Sequence, residues 1–251
     1  MSNLNLLHGK VSLVTGASRG IGKSIAESFA QNGAVVYVNA LETDIIDDWA
    51  VEVSSRYSTQ VQPIYFDITD GAACKNAIMR IKKEHAKLDV LVNNAGLGYN
   101  ELIGMISIDK MRKIFEVNVF ALTNLLQLAA RIMGRQQSGS IINISSTVGM
   151  KGNPGQLAYA ASKGAVIALT RSAAKELADQ KIRVNSIAPG LVDTEMFRTA
   201  ESKNMEERIS RIGMGRLAKP EEIANACVFL ASDLSEYITG QIIAVDGSAI
   251  L

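Results

Sequence analysis

The sequence predicts an α/β fold: one domain over 1–251, with a central parallel sheet of about seven strands between two helical layers. Three observations carry this. Short apolar runs alternate with stretches whose apolar residues recur at helical spacing. The runs are continuously apolar, as in strands covered on both faces. And 251 residues, 47% of them apolar, are enough to bury one sizeable core. Strand, helix, strand at this rhythm implies parallel strands joined by right-handed crossovers.

Val11 to Thr15 is a first strand, closed by glycine. Ile21, Ile25 and Phe29, with Ala26 and Ala30, mark a helix that Gly33 ends. Val35 to Val38 is a second strand, and Asp44 to Tyr57 a helix of poorer periodicity. Val61 to Phe66 is a strand and Ala72 to His85 a helix. Asp89 to Val92 is a strand, followed by a long helical stretch from Met111 to Met133. Ser140 to Ile144 is a strand, Tyr159 to Ala178 a helix, Arg183 to Ile187 a strand. Glu221 to Leu230 is helical and Ile242 to Val245 is a last strand. There is no linker, repeat or low-complexity segment. One stretch, about 193–215, breaks the rhythm: it is polar, charged and bears methionines. It reads either as a surface helix pair or as a lid, because ligands bind at the carboxyl ends of such strands.

Composition excludes several function classes. The formal net charge is +1 with no basic stripe, so nucleic acid is not the expected partner. Cys74 and Cys227 are too few for a disulfide framework, and His8 and His85 stand in no metal-ligand spacing, so no metal is expected. Met1 to Lys10 lacks the apolar core of a secretory signal, and no apolar run is read as a membrane span. These features together read as a soluble, cytoplasmic protein of a reducing compartment.

Thr15-Gly16-Ala17-Ser18-Arg19-Gly20-Ile21-Gly22 follows the first strand and opens the first helix. Glycines there permit a tight turn and close approach of backbone to a pyrophosphate, and the helix N-terminus supplies free N–H groups. Ala17 to Ser24 also nearly spells a P-loop, with alanine for its first glycine. That rival needs an acid at the carboxyl end of an apolar strand. The second and fourth strands end instead in Asn39 and Asn93, and Asp67 alone is a thin substitute.

Tyr159 and Lys163 share one face of a helix, one turn apart. A nearby positive charge favours the phenolate, so the ammonium is expected to lower the tyrosine pKa. The pair then serves as a general acid or base toward a carbonyl or an alcohol.

The glycine loop, Asn93-Asn94-Ala95-Gly96, Ser146 and Tyr159-x-x-x-Lys163, in this order and at these intervals, resemble the short-chain dehydrogenase/reductase family. The resemblance runs from about Lys10 to the C-terminus and implies a Rossmann-like three-layer α/β/α sandwich. Pro189-Gly190, Gly215-Arg216-Leu217, Pro220 to Ala224 and Ile238 to Gln241 resemble one branch of it, the 3-oxoacyl-acyl carrier protein reductases of type II fatty-acid synthesis and their paralogues. The resemblance implies Tyr159 as the acid that protonates the carbonyl oxygen. It implies Lys163 as the residue that tunes Tyr159 and holds the nicotinamide ribose. Ser146, chosen over Ser145 by its interval to Tyr159, would orient the substrate carbonyl, and Asn118 would anchor a relay water. Cofactor contacts implied in the same way are Gly16, Ser18, Arg19, Gly20, Ile21, Gly22, Asn39, Asp67, Ile68, Asn94, Ala95, Gly96, Pro189, Gly190, Val192 and Thr194, with Asp67 at the adenine and Val192 at the carboxamide.

The cofactor is expected to be NADP(H). An NAD-preferring site usually carries a carboxylate at the end of the second strand, on the ribose 2′-hydroxyl. Here that position is about Ala40, and the next acid is Glu42. Arg19 is placed to pair with a 2′-phosphate. The leading reading is reduction of a 3-oxoacyl thioester. A reductase or dehydrogenase of another ketone or secondary alcohol is the alternative, and a non-catalytic nucleotide-binding subunit a remote one. Where the branch carries two arginines for an acidic carrier protein, this chain has Gln137 and Gln180, which leaves carrier, CoA and free ketone open. Met196, Phe197, Met205, Ile209, Ile212 and Met214 suit an apolar, adaptable pocket. The resemblance also implies a homotetramer, and Ala160, Ala161, Gly164, Ala165 and Ala168 permit close helix contact.

Overall fold

Seven strands form one sheet in the order β3-β2-β1-β4-β5-β6-β7, every neighbouring pair parallel. They are β1 Val11–Val14, β2 Val35–Ala40, β3 Val61–Tyr65, β4 Val90–Asn93, β5 Gly139–Ile144, β6 Ile182–Pro189 and β7 Ile242–Val245. The computed structural model describes residues 5–195 and 205–249. The expected fold class is what the chain adopts.

The period of two in each strand sends alternate residues to opposite faces. Val14, Val36, Val38, Val92, Ile142 and Ile187 enter one core cluster. Helices α1 Gly20–Gln31, α2 Asp47–Tyr57 and α9 Pro220–Ala231 cover it, through Ile25, Phe29, Val53 and Ile223 among others. Leu13, Tyr37, Leu91, Ile141 and Val184 enter the other cluster, under α3 Gly71–His85, α5 Leu122–Gln136 and α7 Leu157–Leu177. Both faces being covered is the reason the strands read as uninterrupted apolar runs.

Strand order reverses between β1 and β4. This opens a crevice at their carboxyl ends, where ligands of such sheets bind. The glycine loop leaves β1 there, and Asn94 to Gly96 leave β4 beside it.

Three elements differ from the sequence expectation. The second helix starts at Asp47, not Asp44: Leu41 to Asp44 form a turn closed by Asp44 N–H to the Leu41 carbonyl at 2.9 Å. The long helical stretch runs from Ile108 to Gln136 in three parts: α4 Ile108–Phe115, a π-helical segment Glu116–Ala121, and α5. It also qualifies this chain's reading as free of span-length apolar runs, because by length and composition it is apolar enough to cross a membrane. Its apolar side is occupied, however: Leu125, Ala129 and Met133 pack in the core under the sheet. A short helix, α6 Thr147–Lys151, follows β5 and was not expected, being too brief to show a period. The last helix before α9 is α8 Met205–Ser210.

Candidate active site

The glycine loop is built by close approach. Gly16 has φ +60°, and a Cβ there would stand 2.8 Å from the Ala95 Cα. A Cβ on Gly22 would stand 2.4 Å from both Asn94 Nδ2 and the Gly16 carbonyl. Side chains would fill that space, so glycine is required at both. Asn94 Nδ2 donates to the Thr15 and Gly16 carbonyls, each at 2.9 Å, and so braces the loop rather than facing outward. Thr15, which sequence reasoning passed over, is fully buried; its Oγ1 accepts from the Asn94 and Ala95 N–H groups at 3.0 and 3.1 Å. Its signal was a hydroxyl closing an apolar strand.

The start of α1 has no side-chain cap and no acid in its first turn. Its N–H groups and positive end therefore face the crevice free for an anion. Thr194 lies across from Gly20, its Cγ2 3.5 Å from where a Cβ would be. A cleft of about 280 Å³ runs between Gly20, Lys23 and Ser24 on one side and Asp193, Thr194 and Pro220 on the other. Glycines that a Cβ would displace, together with an uncapped helix start, fit a pyrophosphate, and so fit a dinucleotide.

The remaining cofactor positions divide by orientation. Asn39 turns inward: its Oδ1 accepts from Gly16 N–H at 3.2 Å and its Nδ2 donates to the Phe66 carbonyl at 2.9 Å. Asp67, exposed after β3, accepts from the Thr69 N–H and hydroxyl, both at 2.8 Å, while Ile68 is buried. Ser18 is partly buried and Ile21 packs on the core; Arg19 is exposed, with no ion pair among the described residues. Asp44 approaches the loop, where Ser18 Oγ donates to its Oδ2 at 3.4 Å, and Glu42 is exposed. Pro189 ends β6 and Gly190 follows it, where a Cβ would meet Asp246 Cα at 2.8 Å. Val192 is buried and paired with Ala218.

Ser146, Tyr159 and Lys163 converge at the carboxyl end of β5. Ser146 caps α6, its Oγ accepting from Val148 N–H at 3.2 Å. It also hydrogen-bonds the Tyr159 phenol. Ser145 instead donates to the Ile187 carbonyl at 3.1 Å and accepts from Ser186, which ties it into the sheet. Lys163, 4% exposed, donates to the Ile144 carbonyl at 2.8 Å, with its Nζ 5.8 Å from the Tyr159 ring centroid. Gly96 admits this nitrogen, since a Cβ there would lie 3.3 Å from Nζ. Gly98 lies against the Tyr159 ring in the same way, at 3.1 Å.

Electrostatics correct one expectation. The Tyr159 pKa is raised, because burial of the phenol outweighs the Ser146 hydrogen bond that lowers it. The same burial pushes the Lys163 ammonium down to about 8. Desolvation acts on both partners and is the largest cause of each shift.

Asn118 sits in the π-helical segment, 1% exposed. Its Oδ1 accepts from Leu97 N–H at 2.7 Å, and its Nδ2 donates to the Leu97 carbonyl at 2.8 Å and to Ser162 Oγ at 3.0 Å. Ser162 in turn donates to the Tyr159 carbonyl at 2.8 Å. Both amide hydrogens are thus committed within the protein, and the side chain braces the loop after β4 against α7.

Two expected features lie elsewhere. Gln137 donates to the Gly134 carbonyl at 2.8 Å, and Gln180 packs on Gly134, its Oε1 2.4 Å from where a Cβ would be. Both precede the strands β5 and β6, at the end of the sheet opposite Tyr159. Of the expected apolar pocket, Met196 and Phe197 lie outside the described residues. Ile212 is buried and paired with Ala249, and Met214 is exposed.

A family model described as Enoyl-(Acyl carrier protein) reductase matches residues 16–248. The chain is 41% identical over 245 residues to a 3-oxoacyl-[acyl-carrier-protein] reductase of Thermotoga maritima, covering 98% of this chain and 99% of that one. It is 38% identical over 245 residues to a 3alpha-hydroxysteroid dehydrogenase of Mediterraneibacter gnavus, covering 97% and 98%. A solved structure described as a short-chain alcohol dehydrogenase from Sinorhizobium meliloti 1021 superposes with TM-score 0.92 at 33% identity, covering 98% of this chain and all of that one.

Proposed function

The chain belongs to the short-chain dehydrogenase/reductase family, oxidoreductases acting on an alcohol or carbonyl with a nicotinamide cofactor, and from that premise we propose that it reduces the 3-oxo group of an acyl thioester with NADPH. The observation that carries the reading is the convergence of Ser146, Tyr159 and Lys163 beside a glycine loop that accepts a pyrophosphate.

Gly16, Gly20 and Gly22 would hold the pyrophosphate on the free N–H groups of α1. Arg19 would take the 2′-phosphate, Asp67 would lie at the adenine, and Lys163 would hold the nicotinamide ribose. When bound, the cofactor supplies a hydride. Tyr159 holds the proton that completes the reduction: its raised pKa keeps the phenol protonated at neutral pH, the form an acid needs. Ser146, bonded to that phenol, orients the carbonyl oxygen toward it. Asn118 fixes the loop that carries Gly96 and so keeps Lys163 in reach.

A second reading, reduction of a free ketone or oxidation of a secondary alcohol, is favoured by one observation. Gln137 and Gln180 offer no charge to an acidic carrier protein and lie at the far end of the sheet from Tyr159. The hydroxysteroid relative points the same way. Assembly as a cytoplasmic homotetramer suits α7, where Ala161 and Ala168 are exposed small residues, and Phe120, 59% exposed nearby in sequence to α5; a monomeric mass in solution removes that part. The deciding test compares NADPH oxidation with acetoacetyl-acyl carrier protein, acetoacetyl-CoA and a 3-oxosteroid. Preference for the carrier-linked substrate supports the first reading, and turnover of the steroid alone replaces it with the second.

A further inference from the structure

Between β2 and α2 the chain makes a detour that brings an acid to the glycine loop. Asn39 faces inward and Ala40 is buried, so neither end residue of β2 presents a polar group to a ribose. The Leu41–Asp44 turn then brings the Asp44 carboxylate back to Ser18 Oγ, at 3.4 Å. The next residue, Arg19, is exposed and makes no ion pair with Asp44 or with any other acid among the described residues. Ser18 thus bonds a carboxylate and is followed in the chain by an exposed arginine, beside the end of β2, the place where a dinucleotide presents its adenosine 2′ position.

We propose that Asp44 is a specificity-determining residue that opposes the 2′-phosphate and keeps NAD(H) usable, so that the preference set by Arg19 is shallow; this rests on the dinucleotide reading above. A 2′-phosphate is attracted by Arg19 and repelled by Asp44. A 2′-hydroxyl carries no charge, and a carboxylate accepts its hydrogen bond at no electrostatic cost. The two side chains act on one substituent with opposite sign, and they form no ion pair that would cancel both.

NADP⁺ and NAD⁺ differ in this one substituent, so the test is a calorimetric titration of the full chain with each, for the wild type, Asp44→Asn and Arg19→Gln. Asparagine keeps an acceptor for Ser18 and removes only the charge. Asp44→Asn is expected to tighten NADP⁺ about 3- to 10-fold at low salt, with NAD⁺ changed less than about twofold, and the gain is expected to shrink as ionic strength rises. Arg19→Gln is expected to weaken NADP⁺ and spare NAD⁺. If Asp44→Asn shifts both dinucleotides alike, the residue only shapes the loop and the proposal fails; if it shifts neither, the proposal fails too. A wild type that binds neither dinucleotide overturns the cofactor reading itself, an outcome separate from both.

Discussion

Lys163 places its ammonium 5.8 Å from the centre of the Tyr159 ring and bonds the Ile144 carbonyl at 2.8 Å, inside a region that solvent barely reaches. Burial moves the two pKa values in opposite senses, and both shifts register in stability. The Lys163 pKa is about 8 in the folded chain, against about 10.4 for an unfolded lysine. Below pH 8 both states carry the proton and the native state bears the cost of a buried charge. Above it the native state sheds the proton while the unfolded chain keeps it, so this lysine's contribution to stability rises with pH from about 8 to about 10. Buried acids act oppositely: the Cys74 thiol, pushed up to about 11, and the Cys227 thiol, pushed up further by complete burial, ionise first in the unfolded chain from about pH 8.5, and Tyr159 and Tyr37, both raised by burial, follow past about 10. The difference in urea midpoint between the wild type and Lys163→Met, taken at pH 7, 8, 9 and 10, should therefore rise in the wild type's favour across this window. A difference that does not change with pH would mean that Lys163 keeps its proton in the folded chain.

Tyr159→Phe tests the acid directly. The ring stays against Gly98 and the hydroxyl alone is removed. Turnover should fall about 10²- to 10⁴-fold, while the dinucleotide dissociation constant stays within about twofold. Unchanged turnover would remove Tyr159 from the chemistry.

Asn118 is a brace whose loss should be read in stability as well as rate. Asn118→Ala takes the side-chain partner from the half-buried Leu97 N–H and carbonyl and the donor from the buried Ser162 Oγ. Such a bond contributes about 0.5–1.5 kcal/mol net, so losing the three should cost about 2–4 kcal/mol and about 5–10 °C in melting temperature. Asn118→Asp keeps the acceptor for Leu97 N–H and should fall between. A melting temperature unchanged in Asn118→Ala would mean that water replaces the side chain there.

Most of this scaffold was legible because covered parallel strands are written as apolar runs: all seven appear within a residue or two of their place. What escaped notice depends on contacts distant in sequence. Asp44 looks like a helix start, since Asp favours N-caps, yet its carboxylate is drawn to Ser18, and the helix waits for Asp47. The π segment is invisible because its apolar spacing continues that of the flanking helices. Asn118 was found as a site residue, but its partners Leu97 and Ser162 lie on other elements, so its bracing role was not. The direction of the Tyr159 shift depends on burial, which a Tyr-x-x-x-Lys spacing does not encode.

Lys151 gives the last prediction. It ends the helix that Ser146 caps, and its Nζ donates to the Ala249 carbonyl at 2.8 Å, with Asp246 Oδ2 at 3.8 Å. The segment it grips is bonded in turn to the chain after α8: Gly213 N–H to the Ser248 carbonyl at 3.2 Å and Met214 N–H to the Gly247 carbonyl at 3.0 Å. Asp246 also lies against Gly190 at the cofactor side of β6. The carboxy-terminal segment therefore clasps the residues after α8 to α6, and Lys151 is its fastening. Half-exposed, that bond contributes about 1 kcal/mol at most. Loosening it should leave Gly213 and Met214 less firmly held and weaken apparent substrate affinity by no more than the worth of that bond. Lys151→Met should thus raise KM about 3- to 5-fold. The chemical groups are held by β5 and α7, so kcat should stay within about twofold. Lys151→Arg, which still donates to Ala249, should restore KM. A fall in kcat at constant KM would instead place Lys151 in the support of Ser146, and the clasp would have no part in binding.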